Sequence, residues 1–398
     1  MLERLRHSRA AKRFFRSRLA AGSLAVVGIY FAIVVMLFLF GAQAGDFNQP
    51  IDSPYQPGFL SIPNADQRLD VCNDRLKSIE IALGSSVPEA AMKELRWGRV
   101  QVAEMSPEKA NELIQQGWKQ YDKLSELPSD FEIEKNPAEK AELEALEQTV
   151  DSLLDHPKGY DAWMRSFALC LGTDKQGYSI CWRAIYSIKV AVQIGAVTAL
   201  VSLLLGGFLG AAAGYLGGWV DHFVTWLYTT LSSVPNLVLL MLLAFVFSNS
   251  PLRYQFPLLP IYAAFCLTFW IGPCRLIRGE AMKIKELDYI QAARSFGASR
   301  WYILRRHIIP STTHLLLISF SLLFIGAVKS EVILSYLGLG VKDEPSWGVM
   351  IGEAKHELVN GFFWQVGSAT AFMFGLVLAF NILTDALQDA FDPKHQSG

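Results

Sequence analysis

Uncharged apolar runs, each long enough to cross a bilayer, recur six times along this 398-residue chain. About 20 residues of helix are needed to traverse roughly 30 Å of hydrocarbon. The first run lies between Arg18 and Asp46. The second and third fill the stretch from Lys189 to Arg253, interrupted by Gly217, Gly218 and Asp221. The fourth lies between Arg253 and Arg275, the fifth runs from Ile308 to Val328, and the sixth from Phe362 to Thr384. Lipid offers no partner to a free backbone amide, so each run is expected to be helical. The expectation is an all-α membrane protein with six transmembrane helices.

The basic residues orient it. The tail carries Arg4, Arg6, Arg9, Lys12, Arg13, Arg16 and Arg18 against Glu3. The segment after the fourth run carries Arg275, Arg278, Lys283, Lys285, Arg294, Arg300, Arg305 and Arg306. Positive charge stays in the cytoplasm, and an even number of spans puts both segments and both termini there. Ala42-Gln43-Ala44 resembles a signal-peptide cleavage site, but the run before it exceeds a typical h-region of about 7–15 residues. It reads as a membrane anchor. The division expected is a cytoplasmic basic tail (1–18), a first transmembrane helix (19–45), an extracytoplasmic insertion (46–181) and a core of five further transmembrane helices (182–398).

The insertion changes character along its length. Gln49-Pro50, Ser53-Pro54, Gln56-Pro57 and Ile62-Pro63 read as extended chain, because proline pushes the preceding residue away from helix. Ser106-Pro107-Glu108 and Asn136-Pro137-Ala138-Glu139 read as helix starts. The second leads into Leu143, Leu146, Val150, Leu153 and Leu154 at helical spacing. Residues 104–155 hold 14 Asp or Glu against 5 Lys, which suits a solvated helical hairpin or a docking surface for a soluble protein. Cys72 and Cys170, with Cys181 near the boundary, fall on the side where a disulfide is permitted. Cys266 and Cys274 lie at the fourth span and read as free thiols.

The net charge of −1 gives no general field for nucleic acid. No phosphate loop of the GxxxxGK[ST] kind, no HExxH and no GxSxG occurs. The seven histidines, His7, His156, His222, His307, His314, His356 and His395, lack metal-ligand spacing. Catalytic, cofactor and metal sites are therefore expected to be absent from this chain. Gly206, Gly210 and Gly214 form a small-xxx-small stripe for close helix packing within the chain or between subunits. Pro235 is expected to kink the third span. Lys329 and Glu331 sit near the outer end of the fifth span, snorkelling or paired, and Trp347 reads as an interfacial anchor.

The segment 275–310 carries the most information. Glu286, Asp288, Tyr289, Gln291, Ala292, Ala293, Phe296, Gly297 and Ala298 read as a short amphipathic helix with Tyr289, Ala292, Ala293 and Phe296 on one small apolar face, closed by Gly297. By itself this suits docking into a cytoplasmic cleft or lying on headgroups. Gln291-Ala292-Ala293, then Gly297, then Ile309-Pro310 resembles the "EAA" loop of ABC-importer permeases, with Gln291 in place of Glu and His307 in place of the usual Ile. Further elements resemble the C-type permeases of dipeptide and oligopeptide importers: Lys12 to Ala20 at the start, Leu171-Gly172-Thr173-Asp174 with Gly177 (Tyr178-Ser179 replacing Arg-Asp), Gly214 to Asp221, Ser335 to Val341 followed by Pro345-Ser346-Trp347-Gly348, and Asn381 to Pro393.

The resemblance implies a type I ABC importer permease whose loop 275–310 sits in a groove of an ATPase subunit. ATP would be bound by that partner and not here. It also implies a second permease subunit, two ATPases and an extracytoplasmic binding protein, with peptides as cargo. Nickel, oligosaccharide or antimicrobial-peptide import on the same machinery is the alternative cargo. A secondary transporter is disfavoured because ionisable groups cluster near the ends of the runs. Residues 46–167 resemble nothing in that family.

Overall fold

The computed structural model describes residues 18–43, 47, 65–84, 101–102, 106–127, 133, 136–155, 159–251, 256–342, 344–359 and 361–391. Most of the basic tail, the Pro-rich stretch and Asp392-Pro393 lie outside these. The chain divides into two compact units. One comprises Met1–Ala42, Tyr186–Gly352 and Thr370–Gly398; the other comprises Gln43–Ile185 and Glu353–Ala369.

The first unit holds the apolar helices. They are α1 (Arg18–Leu39), α6 (Ile180–Leu216), α7 (Gly218–Ser232), α8 (Asn236–Ser248), α9 (Leu259–Thr268), α10 (Ile271–Ile284), α13 (Thr313–Tyr336) and α16 (Trp364–Phe391). Among the described residues, five helical stretches are long and apolar enough to cross a membrane, α9 and α10 counting together as Leu259–Ile284. A sixth is formed if α7 and α8, bent by 89° at their junction, make one span. The bend falls at Ser233-Val234-Pro235. Proline removes an amide and clashes one turn back. The hydroxyls of Thr229, Thr230 and Ser233 also turn back onto the carbonyls of Thr225, Trp226 and Thr230, a bond that competes with the helix ladder.

Glycine decides how α6 packs. A β-carbon on Gly206 would lie 2.4 Å from the carbonyl oxygen of Trp270; on Gly210 and Gly214 it would lie 2.5 Å from those of Cys274 and Arg278. The glycines and their backbone neighbours both advance by four residues, so one helix lies directly on the other's main chain. The small-residue stripe thus packs within this chain. Arg278 on α10 then clamps Asp221 on α7, Nε to Oδ1 at 2.5 Å and Nη2 to Oδ2 at 2.8 Å. On α1, the Tyr30 hydroxyl donates to the Phe372 carbonyl on α16 at 2.8 Å. Lys189 closes the end of α1 by donating to the Ala42 carbonyl at 2.9 Å.

The second unit contains α2 (Ala65–Gly84), α3 (Pro107–Ser125), α4 (Pro137–Ser152), α5 (Tyr160–Ala168) and α15 (Lys355–Val359). A two-residue antiparallel ladder joins β1 (Gln101–Val102) and β2 (Leu154–Asp155), with Gln101 opposite Asp155. Leu143, Leu146, Val150 and Leu153 are fully buried in one cluster with Leu69, Cys72, Leu76 and Ile114. The spacing read from the sequence marks that inward face. Arg68 reaches from α2 to grip Glu147 on α4 with two bonds of 2.7 Å, and Lys123 pairs with Glu142. Ser106 and Asn136 do occupy the N-cap positions, but neither side chain makes a capping bond. Proline in the first turn, with its dihedral preset, marks these starts instead.

Candidate functional site

After α10 the chain turns into α11 (Asp288–Ser295). Gln291 reaches back to the Lys285 carbonyl at 3.3 Å and to Glu286 at 3.5 Å, which steadies the entry. The exit is a Schellman closure. Gly297 sits at φ +81°, Ala298 N–H donates to the Ala293 carbonyl at 3.1 Å, and Gly297 N–H donates to that of Arg294 at 3.0 Å. Only glycine takes that left-handed position without strain. Ser299 then caps the next turn, α12 (Arg300–Ile303), by accepting from the Tyr302 amide at 3.2 Å. The following residues Leu304–Ile308 form a π-turn, leading through Pro310 back to α13.

One residue fixes α11 to the body of the first unit. Ile290 is fully buried, in a cluster with Ala211, Tyr215, Ile277, Ala281, Ile284, Ile303, Leu304 and Ile308. Ala293 and Ala298 pack against the edge of that cluster, so Ala293 belongs to the inner face and not to the outer one read from the sequence. The outer face is left to Leu287, Tyr289, Ala292 and Phe296, all exposed, with Phe296 at 90%. Glu286, Asp288 and Gln291 are also exposed and flank them. Ile290 and Leu287 were missed in the sequence reading. Ile284, Ile290 and Ala293 recur at multiples of three residues, the signal that carries Ile290; Leu287, at the N-cap, is exposed and that register does not reveal it. A large aromatic and three apolar neighbours are thus presented on a helix whose other face is locked in place. Exposed apolar surface on a fixed scaffold is what a protein partner recognises.

A second constellation sits at the end of α13. The Ser335 hydroxyl donates to Glu331 at 2.7 Å and accepts from the Val341 amide at 3.0 Å. A β-carbon on Gly340 would strike Ser335, and one on Gly348 would lie 2.6 Å from both the Ser335 side chain and the Val332 carbonyl. Gly338, at φ +79°, ends the helix with the same closure as Gly297. The motif Ser335 to Gly348 is therefore folded tightly upon the last turn of α13. Trp347, which opens α14 (Trp347–Glu353), is 1% exposed. It is a core residue and not the interfacial anchor expected from sequence. Its motif folds it inward, and the indole finds packing there that a headgroup would not supply. Glu331 is buried against serine hydroxyls while Lys329 is exposed, so these two do not face one another.

In the second unit, Asp174 organises the turn between α5 and α6. It accepts from the Gln176 and Tyr178 amides at 2.8 and 2.9 Å, and from Arg183 at 2.5 Å. Arg183, almost fully buried, also reaches Glu353 at 2.8 Å. Glu357 on α15 accepts from the Lys175 amide at 3.1 Å. Burial pushes its carboxyl up to about 7, and the nearby Asp174 and Glu353 add to the rise.

All five cysteines are free thiols. Cys72 lies in the core of the second unit, and burial pushes its thiol up to about 12. The pairing of Cys72 with Cys170 permitted by the sequence is not the one brought together: the thiol that interacts with Cys170 is that of Cys181. No group of metal-binding residues occurs among the described residues.

Residues 206–396 match the family described as "Binding-protein-dependent transport system inner membrane component". The chain is 31% identical over 239 residues to the dipeptide transport system permease protein DppC of Bacillus subtilis (strain 168), covering 60% of this chain and 70% of that protein. It is 33% identical to the glutathione transport system permease protein GsiD of Pectobacterium atrosepticum (58% and 75% covered). It is 31% identical to the oligopeptide transport system permease protein OppC of Bacillus subtilis (60% and 74% covered).

Proposed function

This chain belongs to the family of binding-protein-dependent transport system inner membrane components, and we propose that it is the permease subunit of an ATP-driven importer of peptides or peptide-like nutrients. Relatives named for dipeptide, oligopeptide and glutathione transport support that cargo class. Orientation follows the basic segment 275–306: the chain spans a cytoplasmic membrane with this segment and both termini in the cytoplasm and the insertion 46–181 outside it.

The observation that carries the reading is the outer face of α11. Leu287, Tyr289, Ala292 and Phe296 fit a groove on a cytoplasmic ATPase. Ile290, clustered with residues of α6 and α10, ties that face to helices of the membrane core. Motion of the groove on ATP binding then moves α11, α10 and α6 together, because neither the Ile290 cluster nor the glycine-on-backbone contact has slack to absorb it. The working assembly is this chain, a second permease, two ATPases that bind and hydrolyse ATP, and an extracytoplasmic binding protein. The substrate path runs between the two permeases. A pocket beside the α7–α8 bend, lined by Pro235, Asn236, Thr268 and Gly272, is a candidate wall of that path.

Affinity purification of the chain from its native membrane tests the proposal. The expected result is recovery with two ATPases carrying phosphate loops and a second permease. Recovery of a stable, transport-competent chain without any ATPase would overturn it.

A further inference from the structure

We propose that Cys170 and Cys181 form an intramolecular disulfide that staples the Asp174 turn to the start of α6; this rests on the orientation given above, which puts the turn outside the cytoplasm. Three observations converge. The two thiols are near enough to interact with each other. The backbone between them is closed as a hairpin: Asp174 N–H donates to the Tyr178 carbonyl at 3.1 Å, and Ile180 N–H donates to that of Gly172 at 3.2 Å. Thr173 and Ser179 face each other across it. Cys170 and Cys181 flank the last bond of this hairpin, two residues before Gly172 and one after Ile180. Disulfides persist in oxidising compartments and are rare in the cytosol.

Exposure of the two thiols sets the order of the chemistry. Cys170 is partly exposed and Cys181 buried. An extracytoplasmic dithiol–disulfide oxidase reaches Cys170 first. Its disulfide is opened by the Cys170 thiolate, giving a mixed disulfide and one oxidase thiol. The Cys181 thiolate then attacks Sγ of Cys170 and expels the second oxidase thiol. Two electrons and two protons leave the permease and reduce one oxidase disulfide to two thiols. The product holds the turn whose Asp174 grips Arg183, and so fixes the entry of α6.

Digestion makes the test direct. Trypsin cuts after Arg165, Lys175 and Arg183, so Cys170 and Cys181 fall on separate peptides, 166–175 and 176–183. The full chain is alkylated in intact cells with N-ethylmaleimide, purified without reductant, digested and analysed by mass spectrometry. The expected product is the two peptides joined, lighter by two hydrogens than their sum, and separated by reductant. Cys170→Ser abolishes it and leaves Cys181 alkylated after unfolding. Recovery of both peptides separately alkylated without reduction overturns the disulfide, as does a Cys72–Cys170 linkage. An added thiol at exposed Gln116 (Q116C), probed with a membrane-impermeant maleimide, separates the two ways of failing. Labelling there with unlinked Cys170 refutes the disulfide alone. Labelling only after permeabilisation refutes the orientation, and the disulfide with it.

Discussion

Gly210 of α6 rests on the carbonyl oxygen of Cys274 so closely that a β-carbon added to it would lie 2.5 Å away. The obstacle is main chain and cannot swing aside. Gly210→Ala is therefore expected to force α6 and α10 apart, at an overpacking cost of about 1–3 kcal/mol. Gly210→Leu should cost more. Gly272→Ala, where nothing lies within 4 Å, is the control and should leave stability unchanged. Thermal unfolding of the detergent-purified complex measures all three; equal melting temperatures for Gly210→Ala and Gly272→Ala would contradict this packing.

Gly297→Val tests the closure of α11. At φ +81° a branched side chain meets the left-handed penalty of about 1–2 kcal/mol, while open space surrounds the position. The variant should reach the membrane at normal levels yet lose most of its uptake of labelled peptide, because the helix end that presents Phe296 is remodelled. Normal uptake would count against the assignment of α11 as the coupling helix.

Arg183 stands between two carboxylates in a nearly dry environment. Removing one member of such a network leaves uncompensated charge, a loss of about 3–5 kcal/mol. Arg183→Met is expected to destabilise by that order, and Arg183→Met with Asp174→Asn to recover part of it. A double variant no better than the single one in thermal unfolding would show that the ion pair is not what holds the turn.

Glu357 gives a pH dependence of definite sign. Its carboxyl titrates near 7 in the fold and near about 4.3 when unfolded. The folded state thus binds the proton more tightly. The stability this supplies is full below about pH 4 and is lost as pH rises toward about 7. Glu357→Gln keeps an acceptor for the Lys175 amide and removes the titration. Its melting temperature relative to the parent should rise between pH 5 and pH 8, reflecting a gain in relative unfolding free energy on the order of 2 kcal/mol. A difference that is the same at both pH values would refute this.

The apolar runs and the glycine stripe were legible because their periodicity survives in one dimension. So were Leu143, Leu146, Val150 and Leu153, whose spacing alone marks the buried face of α4. Three things were not legible. Ile290 is hidden among polar neighbours, and its burial depends on α6 and α10 lying where they do. Trp347 belongs to a motif that folds back on Ser335, and no local propensity shows that return. The partner of Cys170 depends on a hairpin set by Asp174, whose bonds run to amides two and four residues on. Parts of the chain far apart in sequence decided the burial of Ile290; the other two cases turn on short returns of the chain that no propensity marks.

The central claim is that the outer face of α11 seats in an ATPase groove. A photo-reactive benzophenone side chain placed at position 296, in the complex within native membranes, tests it most directly. Illumination should join this chain to an ATPase subunit in high yield, while the same group at Gln116 on α3 should not. An active complex whose position 296 links only to lipid, or to no ATPase, would contradict the claim and leave α11 as a helix lying on the membrane surface.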